Sequence, residues 1–263
     1  MLEEHVTAVL EAKPATSKRD WLKAIRHWLR YAKSIGEVDV DVTVGITTAK
    51  PTKTSGYVTW GEHEIDLYRQ RHPLGTMARC ALELLLNTAA RRGDAHLLGR
   101  QHLRDGVLTW CPHKTAKSTG QVLMVPVMPE LAAAINALPA TNELTFLLTA
   151  HGRPFASAAA FGNRFADWCR QAGLKPVRCP DGKMRDYRAH GLRKAACTQL
   201  AEAGATAPEI MAVSGHVTLA EAQKYVSAVE QRKMAKAAMA KRAARSNPVR
   251  EVTDAQSVET KKC

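Results

Sequence analysis

The segment from His190 to Tyr225 constrains the fold more than any other part of this chain. It reads HGLRKAACTQLAEAGATAPEIMAVSGHVTLAEAQKY. His190 and Arg193 open an apolar helical stretch, and because they are three residues apart they share one face of that helix. A break of small residues follows, then a short helix that ends at Gly215-His216, then a further helical stretch that carries Tyr225. The segment therefore predicts three consecutive helices with polar side chains at fixed intervals.

Two further cationic positions precede this segment. The run TAAR, which ends at Arg91, closes a strongly apolar helical stretch, and Lys114 lies between two strand-like segments. His-x-x-Arg is weak evidence alone, because short patterns recur by chance. His27 and Arg30 form a second copy, which we interpret as accidental. The specificity comes from the order and spacing of two arginines, a lysine, two histidines and a tyrosine.

This order resembles the active site of the tyrosine recombinase, or phage integrase, family, and the matching residues are Arg91, Lys114, His190, Arg193, His216 and Tyr225. The segment that ends at Tyr225 looks like the family's second conserved box. The run TAAR is similar to the family's Thr-Gly-x-Arg, with Ala89 in place of the glycine. The resemblance implies a mainly α fold with a small antiparallel β-sheet (α+β), in which a helical core-binding domain precedes the catalytic domain.

The resemblance also predicts how the chain is divided. We expect a partial N-terminal helical core-binding region and linker at 1–50, a catalytic domain at 58–245, and a disordered tail at 246–263. The N-terminal region is shorter than such a domain usually is. Either the chain starts inside that domain, or the domain is reduced.

The family assigns the phosphate-binding roles to arginine and histidine. Arg91 and Arg193 would bind the non-bridging oxygens of the scissile phosphate, because a guanidinium group donates two parallel hydrogen bonds and keeps its charge. Arg92 is adjacent and remains an alternative to Arg91. His190 is assigned to proton transfer or phosphate binding, and His216 to a hydrogen bond with the phosphate.

The remaining roles concern the nucleophile and the leaving group. Tyr225 would attack the phosphorus and form a 3′-phosphotyrosyl bond, which conserves the phosphodiester energy. Lys114 would protonate the departing 5′-oxygen from a hairpin loop, and Lys117 is the competing candidate. Asp94 matches an acidic position of the family, where it would orient an active-site cation.

Composition agrees with a polyanionic partner. The formal net charge is +13 and the sequence pI is about 9.7, which favours nucleic acid, although a basic protein of the ribosomal type would share both values. Aromatic residues make up 5% of the chain, so we expect a core of Leu, Ala, Val and Met. The six cysteines form no C-x-x-C pair and no zinc spacing with histidine. Without a visible signal peptide or membrane-spanning run, we expect a reduced, soluble, intracellular protein.

Periodicity and breaker residues place the elements along the chain. Segment 37–57 is predicted to be a linker, with a strand at 38–44 as the alternative because its valines alternate. Segment 173–186 is predicted to be a loop. Helices are predicted at 17–36, 62–71, 74–91, 129–138, 156–172 and 230–245, and strands at 106–111 and 121–127.

The resemblance implies a site-specific DNA recombinase, an integrase of a phage or other mobile element that acts on DNA in the bacterial cytoplasm. Its expected partners are double-stranded DNA attachment sites, further copies of the chain in a homotetramer, and an accessory DNA-bending protein. No cofactor and no metal are expected. One alternative is a type IB topoisomerase-like DNA relaxer, and the other is a truncated, catalytically impaired integrase relic that only binds DNA.

Overall fold

The computed structural model describes residues 3–49 and 56–246. The chain divides into two compact units, Met1–Ser55 and Gly56–Cys263. The tail predicted to be disordered lies outside the described residues except for Ser246, which ends a helix.

The first unit is a pair of helices, α1 (Glu3–Glu11) and α2 (Lys18–Ser34). A small core of Val6, Leu10, Leu22 and Ile46 joins them to the segment that follows. The predicted helix at 17–36 is confirmed, and Leu22 and Leu29 are buried on it. Trp21 and Trp28 are 44% and 52% exposed.

The segment after α2 turns rather than pairing as a strand. Asp41 accepts hydrogen bonds from the backbone N–H and the hydroxyl of Thr43, which closes an Asx-type turn. Arg26 donates to the carbonyls of Thr43 and Ile46 and so fixes the segment against α2. The alternative strand at 38–44 is therefore wrong, and Val40 and Val44 are exposed.

The second unit carries the remaining elements. Its helices are α3 (Glu62–Arg71), α4 (Met77–Thr88), α5 (Arg92–Ala95), α6 (His113–Ala116), α7 (Pro129–Asn136), α8 (Ala158–Gln171), α9 (Ala189–Glu202), α10 (Ala207–Ser214) and α11 (Leu219–Ser246), with a 3₁₀ turn at Arg100–His102. Its strands are β1 (Leu103–Arg104), β2 (Val107–Trp110), β3 (Leu123–Pro126), β4 (Val177–Arg178) and β5 (Met184–Arg185). The mainly α fold with small antiparallel sheets is confirmed.

The larger sheet has the order β1-β2-β3 and is antiparallel throughout. Leu108 pairs with Val125 and Trp110 with Leu123, so one face of the sheet is apolar and buried. Pro126 ends β3 at the edge of the sheet, where the missing N–H costs no ladder hydrogen bond. The predicted strands at 106–111 and 121–127 are confirmed.

The core of this unit is built around α4, whose residues are buried on nearly every side. It packs against α9 and α7. Leu and Ala dominate the core as predicted, but no Met among the described residues is fully buried. An aromatic cluster that composition did not reveal contributes instead, formed by Trp60, Tyr68, Phe161, Phe165, Trp168 and Tyr187.

Two further segments differ from the sequence prediction. Segment 173–186 contains the hairpin β4–β5, where we expected only a loop. The last helix before the tail and the basic helix at 230–245 are one continuous helix, α11. Among the residues that the structure describes, no helix has the length and hydropathy needed to cross a membrane.

Candidate active site

A tight turn after α4 delivers Arg91. Ala89 adopts a left-handed conformation with φ of 50°, which costs a non-glycine residue about 1–2 kcal/mol. The Thr88 hydroxyl donates to the Leu84 carbonyl and accepts from the Ala90 N–H, which secures the turn. The turn therefore keeps a glycine-like backbone although alanine stands there.

Two arginines lie next to this turn, Arg91 itself and Arg193 from α9. Arg91 donates through Nη2 to the carbonyl of Gly215 at 3.2 Å, while its Nη1 is buried with no hydrogen-bond partner within the described residues. Arg193 is 3% exposed and donates through Nη1 to the carbonyls of Ala89 at 2.7 Å and Ser214 at 2.5 Å. Burial lowers the pKa of Arg193, and the charge of Arg91 lowers it further.

Neither guanidinium forms an ion pair with a carboxylate in the described part of the chain. Removing Arg193 and part of Arg91 from water without a counterion is unfavourable. The arrangement is therefore suited to an anion that supplies the missing charge and accepts from the free Nη1.

The two histidines of the pattern flank these arginines. Burial lowers the pKa of His190 to about 4, and the charges of Arg193 and Lys194 act in the same direction. Burial and then Arg193 also lower the pKa of His216 to about 4. Both imidazoles are therefore neutral at pH 7 in the absence of an anion.

A hydrogen-bond chain fixes the tautomer of His216. The Ser214 hydroxyl donates to the carbonyl of Ile210 at 2.6 Å and lies 2.7 Å from Nδ1 of His216. A hydroxyl has only one proton to donate, so Nδ1 must carry the proton that Ser214 accepts. Nε2 of the neutral ring is then a hydrogen-bond acceptor.

Tyr225 is half-buried near the start of α11, and its ring centroid lies 5.9 Å from that of His216. Burial raises the pKa of Tyr225, Cys197 and Glu221 raise it further, and Arg193 opposes them. The phenol is therefore protonated at neutral pH, and its ionisation requires added stabilisation.

The predicted residues line two clefts. Arg91, Lys114 and His190 line the first, of about 430 Å³. His216 and Tyr225 line the second, of about 400 Å³. The charge of the buried Arg193 acts on side chains of both clefts, because it lowers the pKa of His190 and His216 and opposes the rise in the pKa of Tyr225.

Lys114 reaches the first cleft from α6 rather than from an irregular hairpin loop. The buried Asp94 accepts a hydrogen bond from the backbone N–H of His113 at 2.9 Å. This bond holds the start of α6, so Asp94 acts on the backbone beside Lys114. Lys117 follows at the end of α6 and is absent from the cleft lining as described.

Sequence reasoning missed Tyr57 and Lys194. The Tyr57 ring lies 4.8 Å from the His190 ring, and Lys194 donates to the Tyr57 carbonyl at 2.7 Å. Gly191 allows this approach, because a Cβ there would lie 2.1 Å from the Val58 carbonyl. Tyr57 gave no signal because it follows an aperiodic segment, whereas Lys194 could have been noticed beside Arg193.

Other residues of the first cleft are Arg92, Gly93, Gly162, Asn163, Arg188 and Ala189. Across the described residues, no group of three or more His, Cys, Asp or Glu side chains is placed to hold a metal ion. The positive charge of the site comes from arginine and lysine. The arrangement can bind an anion next to a tyrosine hydroxyl, two neutral imidazoles and an ammonium group.

Comparison with known proteins gives a family and a fold. The profile of the phage integrase family matches residues 64–232. No curated protein sequence matches the chain.

Several solved structures share the fold. A lambda integrase dimer bound to a COC′ core site is 18% identical with a TM-score of 0.67, over 86% of this chain and 64% of that one. A lambda integrase tetramer bound to a Holliday junction is 18% identical with a TM-score of 0.64, over 83% and 65%. The Tn1549 transposon integrase in complex with transposon right end DNA is 14% identical with a TM-score of 0.59, over 90% and 84%. The chain thus spans less than two thirds of those two lambda integrase chains.

Proposed function

The chain belongs to the phage integrase family of tyrosine recombinases, and on that premise we propose that it breaks and rejoins duplex DNA at specific sites through a transient bond to Tyr225. The observation that carries the proposal is the pair Arg91 and Arg193. Both lack a carboxylate partner in the described residues, and the buried Nη1 of Arg91 is unsatisfied. A scissile phosphate would supply both the charge and the acceptor.

Binding of the phosphate would prepare the reaction. Arg91 and Arg193 would hold its non-bridging oxygens, with His190 as a further hydrogen-bond donor, and His216 would donate to the phosphate once its Nε2 has taken up the phenolic proton. Preorganised donors of this kind typically lower a barrier by about 3–4 kcal/mol each. The hydrogen bonds from Arg193 to the carbonyls of Ala89 and Ser214 keep its guanidinium in place before DNA binds, so little reorganisation is needed.

In the cleavage step the Tyr225 oxygen attacks phosphorus, and the bond from phosphorus to the 5′-oxygen breaks. The phenolic proton passes to a neutral imidazole, for which Nε2 of His216 is the nearer candidate on ring distance. Lys114 gives a proton to the departing 5′-oxygen. Rejoining reverses these steps, with a 5′-hydroxyl attacking the 3′-phosphotyrosyl bond.

Tyr225 and Arg91, the proposed phosphate ligand, line different clefts. Catalytic contacts are often loose before the substrate binds. We expect DNA binding to bring the start of α11 closer to the arginines.

The assembly and domain roles are part of the same proposal. A lambda integrase that shares this fold has been solved as a tetramer bound to a Holliday junction. This supports a homotetramer of the present chain on double-stranded attachment sites. The unit Met1–Ser55 would be the partial core-binding region, and the unit from Gly56 the catalytic domain. An accessory DNA-bending protein is a further proposed partner. Cross-linking on and off DNA would test the tetramer.

Covalent trapping tests the function. Nicked duplexes of candidate attachment sites lose a short 5′-hydroxyl strand after cleavage, so the phosphotyrosyl adduct accumulates and is read on a denaturing gel. We expect an adduct with the wild-type protein and none with Tyr225→Phe. An adduct that persists in the variant, or salt-sensitive binding without any adduct, would contradict the proposal. The second outcome would favour the relic.

Relaxation of supercoiled plasmid separates the remaining alternative. A type IB topoisomerase-like enzyme would relax plasmids that lack an attachment site. We expect Tyr225-dependent adducts only where a site is present.

A further inference from the structure

We infer that the first cleft holds two DNA phosphates, and that Arg92 with Asn163 and Arg188 forms a subsite for the phosphate next to the scissile one. This inference rests on the proposed function. The cleft has a volume of about 430 Å³ and is lined by these three side chains as well as by Arg91 and Lys114. One DNA strand carries a phosphate about every 3.4 Å of helix axis. A cleft that binds one phosphate therefore brings the next within reach of nearby donors.

The side chains of Arg91 and Arg92 diverge from adjacent positions. Arg91 reaches the carbonyl of Gly215 after α10, whereas Arg92 lies against Gly162 in α8. Their Cα atoms are about 3.8 Å apart, and each guanidinium contacts a different element. The two arginines therefore present charge to different parts of one cleft, so they do not compete for a single phosphate.

Gly162 makes room for Arg92. A Cβ at Gly162 would lie 2.6 Å from Nη1 and 2.8 Å from Cδ of Arg92. The residue is inside the helix α8 and its φ is not positive, so its backbone does not require glycine. Glycine in a helix interior is unfavourable relative to alanine. The space that it leaves for Arg92 accounts for its presence.

The subsite has the charge and hydrogen-bonding groups that a phosphodiester needs. Arg92 forms no ion pair among the described residues, while Arg188 pairs with Asp186 at the surface. Exposed pairs of that kind are weak, so Arg188 can share its donors with DNA. Asn163 adds an amide N–H donor. Two guanidinium groups and an amide suit one phosphate.

The test is a binding cycle between protein and DNA variants, done in the Tyr225→Phe background so that cleavage does not interfere. Arg92→Gln should weaken binding roughly threefold to tenfold. It should also reduce the slope of log K against log salt by about 0.9, the value for one phosphate contact. Gly162→Ala keeps the charge but displaces Arg92, so it should reproduce both effects, and combining it with Arg92→Gln should add little.

Neutral methylphosphonates then locate the contact. They are placed at the scissile phosphate or at either neighbouring phosphate. The loss caused by Arg92→Gln should disappear only when one neighbouring phosphate is neutral. Arg170→Gln is the matched control, because Arg170 is an exposed arginine in α8, the helix of Gly162, pairs with Asp167 and is not a lining residue of the cleft. It should change neither the slope nor the coupling.

The failures are distinguishable. Coupling of Arg92 to the scissile phosphate, coupling to none of the three, or an equal slope change in Arg170→Gln would overturn the subsite. The proposed function instead fails in the adduct assay, where the wild-type protein would form no Tyr225-dependent bond. The binding cycle does not depend on that result.

Discussion

The neutral histidines lead to a prediction about acid stability. Burial lowers the pKa of His190 and His216 from 6.5 to about 4 in the folded protein. Between these pH values the unfolded chain binds more protons than the folded one. Stability is therefore complete above pH 6.5 and falls as pH drops toward 4.

The size of the loss follows from the shifts. A fall from 6.5 to about 4 is worth roughly 3 kcal/mol for a group shielded from water. Both rings are partly exposed, so solvent screening reduces this by about half. Together the two histidines should cost roughly 2–3 kcal/mol of unfolding free energy between pH 7.5 and 4.5. A domain is typically stable by about 5–15 kcal/mol, so the loss is measurable.

Urea unfolding at both pH values, in the wild-type protein and in His190→Gln/His216→Gln, measures it. The double variant should lose roughly 2–3 kcal/mol less than the wild type between the two pH values. The control is His151→Gln, because His151 is exposed in a turn of the same unit. An equal acid loss in the double variant would refute the reasoning. The reasoning would also be refuted if NMR showed the rings of His190 and His216 titrating near pH 6.5.

Three further predictions concern other contacts. Lys114→Ala should slow adduct formation by about 10²–10⁴-fold, and Asp94→Ala should slow it less, because it releases the start of α6. A 5′-thio leaving group needs no acid, so it should restore the rates of both variants. If it does not restore the rate of Lys114→Ala, Lys114 is not the general acid. Ser214→Ala should slow adduct formation roughly tenfold, because His216 loses the bond that fixes its tautomer; an unchanged rate constant at saturating DNA would contradict that role. Glu83→Ala should lower the unfolding free energy by about 3–5 kcal/mol, because the fully buried carboxylate pairs with Arg69 and Arg79; a loss below about 1 kcal/mol in urea would show that the network contributes little.

The sequence predicted the elements that carry the site, because each depends on local patterns. Apolar stretches mark α4 and α9, and the spacing from His190 to Tyr225 places His190 on α9 and Tyr225 on α11, with α10 between them. The conformation of the turn at Ala89 could not be predicted from the sequence, since alanine rarely adopts a left-handed backbone. Tertiary contacts decide that case, through the Arg193 bond to the Ala89 carbonyl.

Contacts between distant segments could not be predicted. Tyr57 reaches His190 only because Gly191 lets the chain pass close to α9. The strands β4 and β5 are two residues each and largely exposed, so they show no alternation. The separation of Tyr225 from Arg91 into two clefts is a matter of helix placement, which residue spacing does not encode.

The length of α11 has a mechanical consequence. The helix has 28 residues, so it extends about 42 Å. Its buried contacts include Ala222 and Val229, and the residues after Val229 are exposed as far as they are described. If the helix tilts as a rod about Val229, Tyr225 lies about 6 Å from the fulcrum and Ser246 about 26 Å. A displacement of about 4 Å at the far end then moves the tyrosine backbone by roughly 1 Å, a distance that can change a catalytic rate by about 10²-fold. Under such a tilt, the exposed end of α11 would set the position of Tyr225, the proposed nucleophile.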